Sequence, residues 1–316
     1  MLRDRVLDLL FKEDITQKEL TSRLNSSRSR ISEVLRKLEA QHIITRKKVS
    51  QRTVLVSINH SRTLRVGILR SSEYFHIVST LEHLGKRIPF RLTVYDNSLE
   101  ALKELMTGAE DMVASPLISG YFFYLIDRSI RPIAGVAEGG SGLIKRRNEG
   151  KIGTTPLSRM DRDSRDFRDY EQVYFKSMDD MLRSYYKGEI DAAQIWEPFL
   201  TMNNGVKKRK EGLCCCIFTK GERGYSVSTF LREYKKKVGE SLNKDKKKDI
   251  ATVMGRVLKV GHEDVIRSLN SYHFTTLIDK SDLERQIEAF GLPIVKEVDS
   301  FLERAAKVPQ FNEIFL

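Results

Sequence analysis

Three consecutive cysteines, Cys214–Cys215–Cys216, are the only thiols in the chain and the first place to look for chemistry. A thiolate can attack an electrophile or hold a soft metal ion, but either role needs partners. The run reads as a strand, whose successive side chains point to opposite faces, so at most Cys214 and Cys216 share a side. The six histidines, His42, His60, His76, His83, His262 and His273, include no pair at ligand spacing. GVAEGGSG over 135–142 lacks the pattern of a phosphate-binding loop, and no nucleophile elbow occurs. The expectation is packing for the cysteines, no metal, no cofactor, no catalytic residue and no enzyme.

A second constellation lies nearer the start. Leu2, Val6, Leu9 and Leu10 recur at helical spacing, and Thr16 stands three residues before Glu19, the spacing of a capping box. Asn25 occupies a tight turn. Ile31, Val34, Leu35 and Leu38 then form the apolar stripe of a further helix. Its opposite face carries Ser29, Glu33 and Arg36, flanked by Arg30, Ser32 and Lys37. Short hydroxyls with long guanidinium side chains suit a helix that enters a DNA groove. Two β-branched segments, 43–49 and 53–58, follow as a hairpin with Arg46, Lys47, Lys48 and Arg52 placed for phosphates. The segment 1–58 resembles the winged helix-turn-helix of the MarR and ArsR regulators. That resemblance implies double-stranded DNA as a partner.

Composition agrees with a basic N-terminal block. The 316 residues carry a net charge of +12, and residues 1–60 hold 13 basic and 7 acidic side chains, half of that net charge in under a fifth of the length. MLRDRVLDLLFKED has no secretory apolar core, and no run of about 18 apolar residues occurs. The expected location is the cytoplasm.

From Leu64 strands and helices alternate, as in a parallel sheet covered on both faces. Strands are expected at 64–69, 90–96, 109–116 and 131–137, then at 151–155, 171–176, 190–198, 206–210 and 213–218, with mostly helical segments over 226–306. Two αβ lobes joined by two crossings result, with lobe one at 64–142 and 213–316 and lobe two at 143–212. Three motifs carry a resemblance to type II periplasmic solute-binding proteins of the nitrate, sulfonate and thiamine-pyrimidine group. They are LKELMTGAEDMVASPL (102–117), GKIGTT (150–155) and YYKGEIDAAQIWEPFL (185–200). The fold class is therefore α/β, with domain 1–60 a winged helix-turn-helix and 61–316 a two-lobed, periplasmic-binding-protein-like effector domain.

Ligands of open αβ sheets sit at the carboxyl ends of strands. Those ends nominate Ser71, Ser72, Tyr74, Ser115, Gly140, Ser141, Thr154, Thr155, Trp196 and Glu197 for a small polar or anionic molecule. Thiamine-pyrimidine synthases of the same superfamily carry a similar cysteine run. They also need a Lys and a His, and Ser115 and Ser119 stand at those places here. Taken together, the expectation is a ligand-responsive, DNA-binding transcription regulator. Its plan is similar to LysR-type proteins, and it is expected to act as a homodimer or higher homo-oligomer. Two alternatives remain open: a clamshell that only dimerises, and a synthase-like enzyme.

Overall fold

A computed structural model describes residues 1–50, 53–207, 212–222, 224–240, 243–291 and 297–306. The N-terminal unit contains α1 (Leu2–Leu10), β1 (Ile15–Thr16), α2 (Gln17–Arg23), α3 (Arg28–Ala40), β2 (Ile44–Ser50) and β3 (Thr53–Ile58). Its helix starts are set by local chemistry. Glu19 donates its backbone N–H to Thr16 Oγ1 at 3.2 Å, and Thr16 N–H returns to Glu19 Oε2 at 3.0 Å. Ser27 caps α3 by accepting from Arg30 N–H at 3.3 Å. Leu20, Ile31, Leu35 and Leu38 turn inward against Val6, Leu10, Val56 and Ile58. The short β1, which the sequence pattern does not reveal, pairs with β3 and gives the sheet order β1-β3-β2.

Lobe one begins with β4 (Leu64–Leu69), α4 (Phe75–Leu84), β5 (Phe90–Tyr95), α5 (Ser98–Thr107), β6 (Met112–Pro116), α6 (Leu117–Ile126) and β7 (Ile130–Gly139). Lobe two holds β8 (Ser141–Lys145), β9 (Gly150–Thr154), α7 (Arg159–Ser164), β10 (Tyr170–Tyr174), α8 (Met178–Lys187), β11 (Ala192–Trp196), α9 (Phe199–Met202) and β12 (Val206–Lys207). The chain then returns to lobe one through β13 (Leu213–Lys220), α10 (Tyr225–Gly239), α11 (Lys244–Leu258), α12 (His262–Ser268), β14 (Tyr272–Phe274), α13 (Lys280–Ala289) and α14 (Glu297–Ala306).

The six-stranded sheet of lobe one runs β14-β7-β13-β6-β4-β5, and the five-stranded sheet of lobe two runs β10-β9-β11-β8-β12. In both, parallel strands from αβ units are extended by antiparallel returns. Two α/β lobes with two connections place the loops at the strand ends of each sheet opposite one another.

The strand β8 is absent from the sequence reading. SGLIK is short, and its apolar residues do not alternate, so periodicity does not mark it. The segment 206–210 was expected to form one return strand. Val206–Lys207 pairs with β8 in lobe two, and the rest lies outside the described residues.

Candidate functional site: the cleft between the lobes

The site is assembled from the ends of β4, β6, β7 and β13 in lobe one and of β9 and β11 in lobe two. Its lining includes Ser71, which caps the single 3-10 turn after β4, Glu73 and Tyr74 on that turn, and Asp96, Asn97 and Ser98 at the start of α5. Gly139, Gly140 and Ser141 contribute from the first crossing, and Thr155, Pro156 and Ser158 from the loop before α7. Trp196, Cys214 and Cys215 complete the wall.

Polar ties across the cleft hold the lobes together. Arg70 reaches Asp179 on α8 at 2.6 Å, and the Trp196 indole donates to Arg70 O at 2.8 Å. Ser119 Oγ on α6 donates to Leu157 O at 2.5 Å. Ser71 Oγ and Ser72 N–H both meet Glu197 O at 3.2 Å.

The cysteines depart from the expected alternation. Along β13 the pairing with β7 shifts between Leu213 and Cys215 and again between Cys215 and Cys216. Such bulges re-aim a side chain. Cys214 and Cys215 therefore face the same side, with their Sγ atoms 3.7 Å apart. Cys216 packs into the opposite core with Leu117, Tyr121 and Phe218. The expectation that Cys214 and Cys216 would share a side is corrected for this reason.

Glu73 joins the pair: one carboxylate oxygen and the two sulfurs all lie within 4.8 Å of one another. Glu73 is 5 % exposed, and its Oε1 has no hydrogen-bond partner. Burial, reinforced by Cys214, pushes its carboxyl well above the ordinary carboxylate range. Cys214 is displaced the other way, chiefly because Cys215 donates a hydrogen bond to it. Tyr74 donates its hydroxyl to Cys215 Sγ at 3.4 Å, and burial raises its phenol well above normal.

Of the nominated ligand residues, Ser71, Tyr74, Gly140, Ser141, Thr155 and Trp196 line the cleft. Ser72, Ser115, Thr154 and Glu197 do not. Ser72 Oγ accepts from Ser268 Oγ at 2.7 Å behind the wall. Ser115 and Thr154 are fully buried, and neither hydroxyl has a hydrogen-bond partner. Glu197 accepts from Thr201 N–H at 2.9 Å, Thr201 Oγ1 at 2.8 Å and Ser271 Oγ at 2.6 Å, so its carboxylate binds structure rather than solute.

Glu73, Cys214 and Cys215 were missed as a group. The sequence signal was the cysteine run itself, set aside because strand alternation separates neighbours. Glu73 stands between the nominated Ser72 and Tyr74, and no spacing in the sequence ties it to the cysteines. Among the described lining residues Asp96 is a carboxylate, Glu73 is an acid whose burial favours its neutral form, and there is no Lys or Arg.

On the N-terminal unit, Ser29, Arg30, Ser32, Glu33, Arg36, Lys37, Lys47 and Lys48 are exposed. Some of this charge is already paired: Lys37 meets Glu33 at 2.7 Å, and Arg46 Nε meets Glu39 at 2.9 Å. Arg52 lies outside the described residues. Among the described residues no helix is long and apolar enough to cross a membrane.

No protein-family model and no curated protein sequence matches the chain. Solved structures do match in fold. The ligand-binding component of an ABC-type import system from Staphylococcus aureus aligns at TM-score 0.65 and 13 % identity, over 78 % of this chain and 99 % of that one. The periplasmic nitrate-binding protein of Synechocystis PCC 6803 gives 0.58 and 13 %, over 77 % and 85 %. The alkanesulfonate-binding protein of Xanthomonas axonopodis pv. citri gives 0.56 and 15 %, over 79 % and 95 %. These neighbours overturn three expectations: a transcription regulator, DNA as partner and a cytoplasmic location. Ser29, Arg30, Ser32, Glu33, Arg36, Lys37, Arg46, Lys47, Lys48 and Arg52 are accordingly withdrawn as a DNA interface. What the likeness supports is a two-lobed, periplasmic-binding-protein-like α/β fold.

Proposed function

We propose that the two-lobed part of this chain binds a small polar solute between its sheets, without chemistry, as the ligand-binding component of an import system. The observation that carries this reading is the cleft itself. Strand ends of both lobes converge there, with the chain's single Trp in its wall. The same reading puts the protein outside the cytoplasm, as the name of the periplasmic nitrate-binding neighbour says of that protein. Residues 1–58 complete the proposal as an appended unit of winged helix-turn-helix form, with three helices and a hairpin on one core.

The solute class follows from the lining. Asp96, with no Lys or Arg beside it in the described lining, favours a hydrogen-bond donor or a cation over nitrate or a sulfonate. Trp196 reports on the cleft, so its fluorescence can be followed beside the melting temperature. A panel of nitrate, alkanesulfonates, amines, amides and amino-heterocycles should give shifts in both signals only for the nitrogen-donor members. A solute at about 100 times its Kd adds ~2.7 kcal/mol of stability, which melting resolves easily. Anions that bind while amines and amides do not would overturn the solute class. Silence across the whole panel in both signals would sink the binding reading.

A further inference from the structure

We propose that Cys214, Cys215 and Glu73 form a binding site for a thiophilic transition-metal cation of the zinc type, set at the base of the cleft with a coordination position open to it. The geometry fits without rearrangement of the thiols. Two thiolates on a tetrahedral zinc, each at about 2.3 Å, stand roughly 3.8 Å apart. The Cys214 and Cys215 sulfurs are 3.7 Å apart. A carboxylate oxygen of Glu73 lies within 4.8 Å of both, so a modest rotation brings it to the same centre.

Three further observations separate this arrangement from packing. First, two neighbours on a strand face one way because β13 is bulged at that point, inside the sheet and away from its edges. Second, Glu73 buries an oxygen that has no hydrogen-bond partner, an arrangement that disfavours the empty site. Third, all three side chains line the cleft, so an ion has a path of entry. Tyr74 stands behind Cys215 at 3.4 Å and fixes that sulfur's position.

Two sulfurs and one oxygen leave the fourth position of a tetrahedron toward the cleft, the pattern of an open rather than a closed zinc site. Loading such a site releases the thiol protons of Cys214 and Cys215, and that of Glu73 where it is held, and leaves the cation bound by thiolates and carboxylate. Soft sulfur ligands select zinc or cuprous ions over magnesium or calcium.

The test uses the full chain, reduced and stripped with a chelator. Cobalt(II) titration should produce a thiolate-to-metal band in the near ultraviolet and the visible bands of a four-coordinate ion, and zinc should then bleach both. Cys214→Ser, Cys215→Ser and Glu73→Gln should each weaken zinc binding, measured against a competing chelator, by about tenfold or more. Cys216→Ser, in the other core, should bind as the parent does. Circular dichroism and melting of each apo variant check that it folds. A parent protein with no thiolate band overturns the site. So does a Cys216→Ser variant as impaired as Cys215→Ser, or a folded Glu73→Gln variant with full affinity. Metal uptake by a protein silent to every solute removes only the solute reading, and solute binding with no thiolate band removes only the metal site.

Discussion

His76 lies on α4 between the rings of Phe75 and Phe274, 5.5 and 4.6 Å away between centroids, and its Nδ1 has no partner. Burial, helped by the charge of Lys237, lowers its imidazole from 6.5 to about 4. The unfolded chain therefore binds a proton that the folded chain refuses between those two values. Stability from this group is complete above pH 6.5 and is lost as pH falls toward 4. The difference corresponds to about 3 kcal/mol over that window. Urea melts at pH 7 and pH 4.5 should show the parent losing more stability than His76→Phe. Parallel losses in the two proteins would mean His76 is not the titrating group. The residue was visible in the sequence as an unpaired histidine, but its aromatic box was not, because Phe274 is brought to it from β14.

Two glycines separate conformation from contact at the level of elements. Gly108 ends α5 with φ +81°, and a Cβ there would meet nothing within 4 Å. Gly108→Ala should cost only the left-handed backbone penalty, about 1 kcal/mol. Gly140 has a similar φ of +74°, but its Cβ would stand 1.9 Å from the Tyr272 ring at the first crossing. Gly140→Ala should cost several times more, about 3 kcal/mol or above, because the ring must also move. Chemical denaturation of both variants checks the ratio, and equal costs would show that Tyr272 yields freely. Some element boundaries of this kind were legible: Thr16 caps α2 as its spacing from Glu19 predicts, and Gly108 stops α5. The caps Asn97 and Ser177 were not read from the sequence. The bulge in β13 was not legible, since its cause is the pairing of that strand with β7.

At the scale of the molecule, the N-terminal unit rests on lobe one through a few polar contacts. Arg91 on β5 donates to Phe11 O at 3.3 Å, Ala109 O at 2.9 Å and Glu110 Oε1 at 3.0 Å. Ser226 Oγ donates to Ser61 O at 2.9 Å, and Arg62 lies over the Tyr225 ring at 4.8 Å. Glu110 is 2 % exposed, so Arg91→Ala leaves a buried carboxylate without its cation and with only the Tyr95 hydroxyl, at 2.8 Å, as a side-chain donor. Because Arg91 is itself partly exposed, the loss should be about 2 kcal/mol, below that of a fully buried pair. Arg91→Ala should also loosen the contact between the units, seen as faster trypsin cleavage near Arg62. Adding Glu110→Gln should restore part of the stability but not the protection. A double variant no more stable than Arg91→Ala would show that the stranded charge is not the cause. Across the cleft, Arg70–Asp179 is half solvated, so Asp179→Asn should change solute affinity by less than about 1 kcal/mol.

The sequence by itself determined what is local: the capped helices, the apolar stripe of α3, the alternation that gives two αβ lobes, and the loops from which a cleft is built. Each of these is fixed by neighbours a few residues apart, and such signals survive in a linear chain. The tertiary structure decided which side chains enter the cleft. It turned Glu197 toward Thr201 and Ser271, buried Ser115 and Thr154 behind the wall, and brought Cys214, Cys215 and Glu73 to one point across 142 residues of chain. Strand register made those choices. A shift of one residue reverses the face of every side chain beyond it, and register depends on partners that sequence spacing does not record.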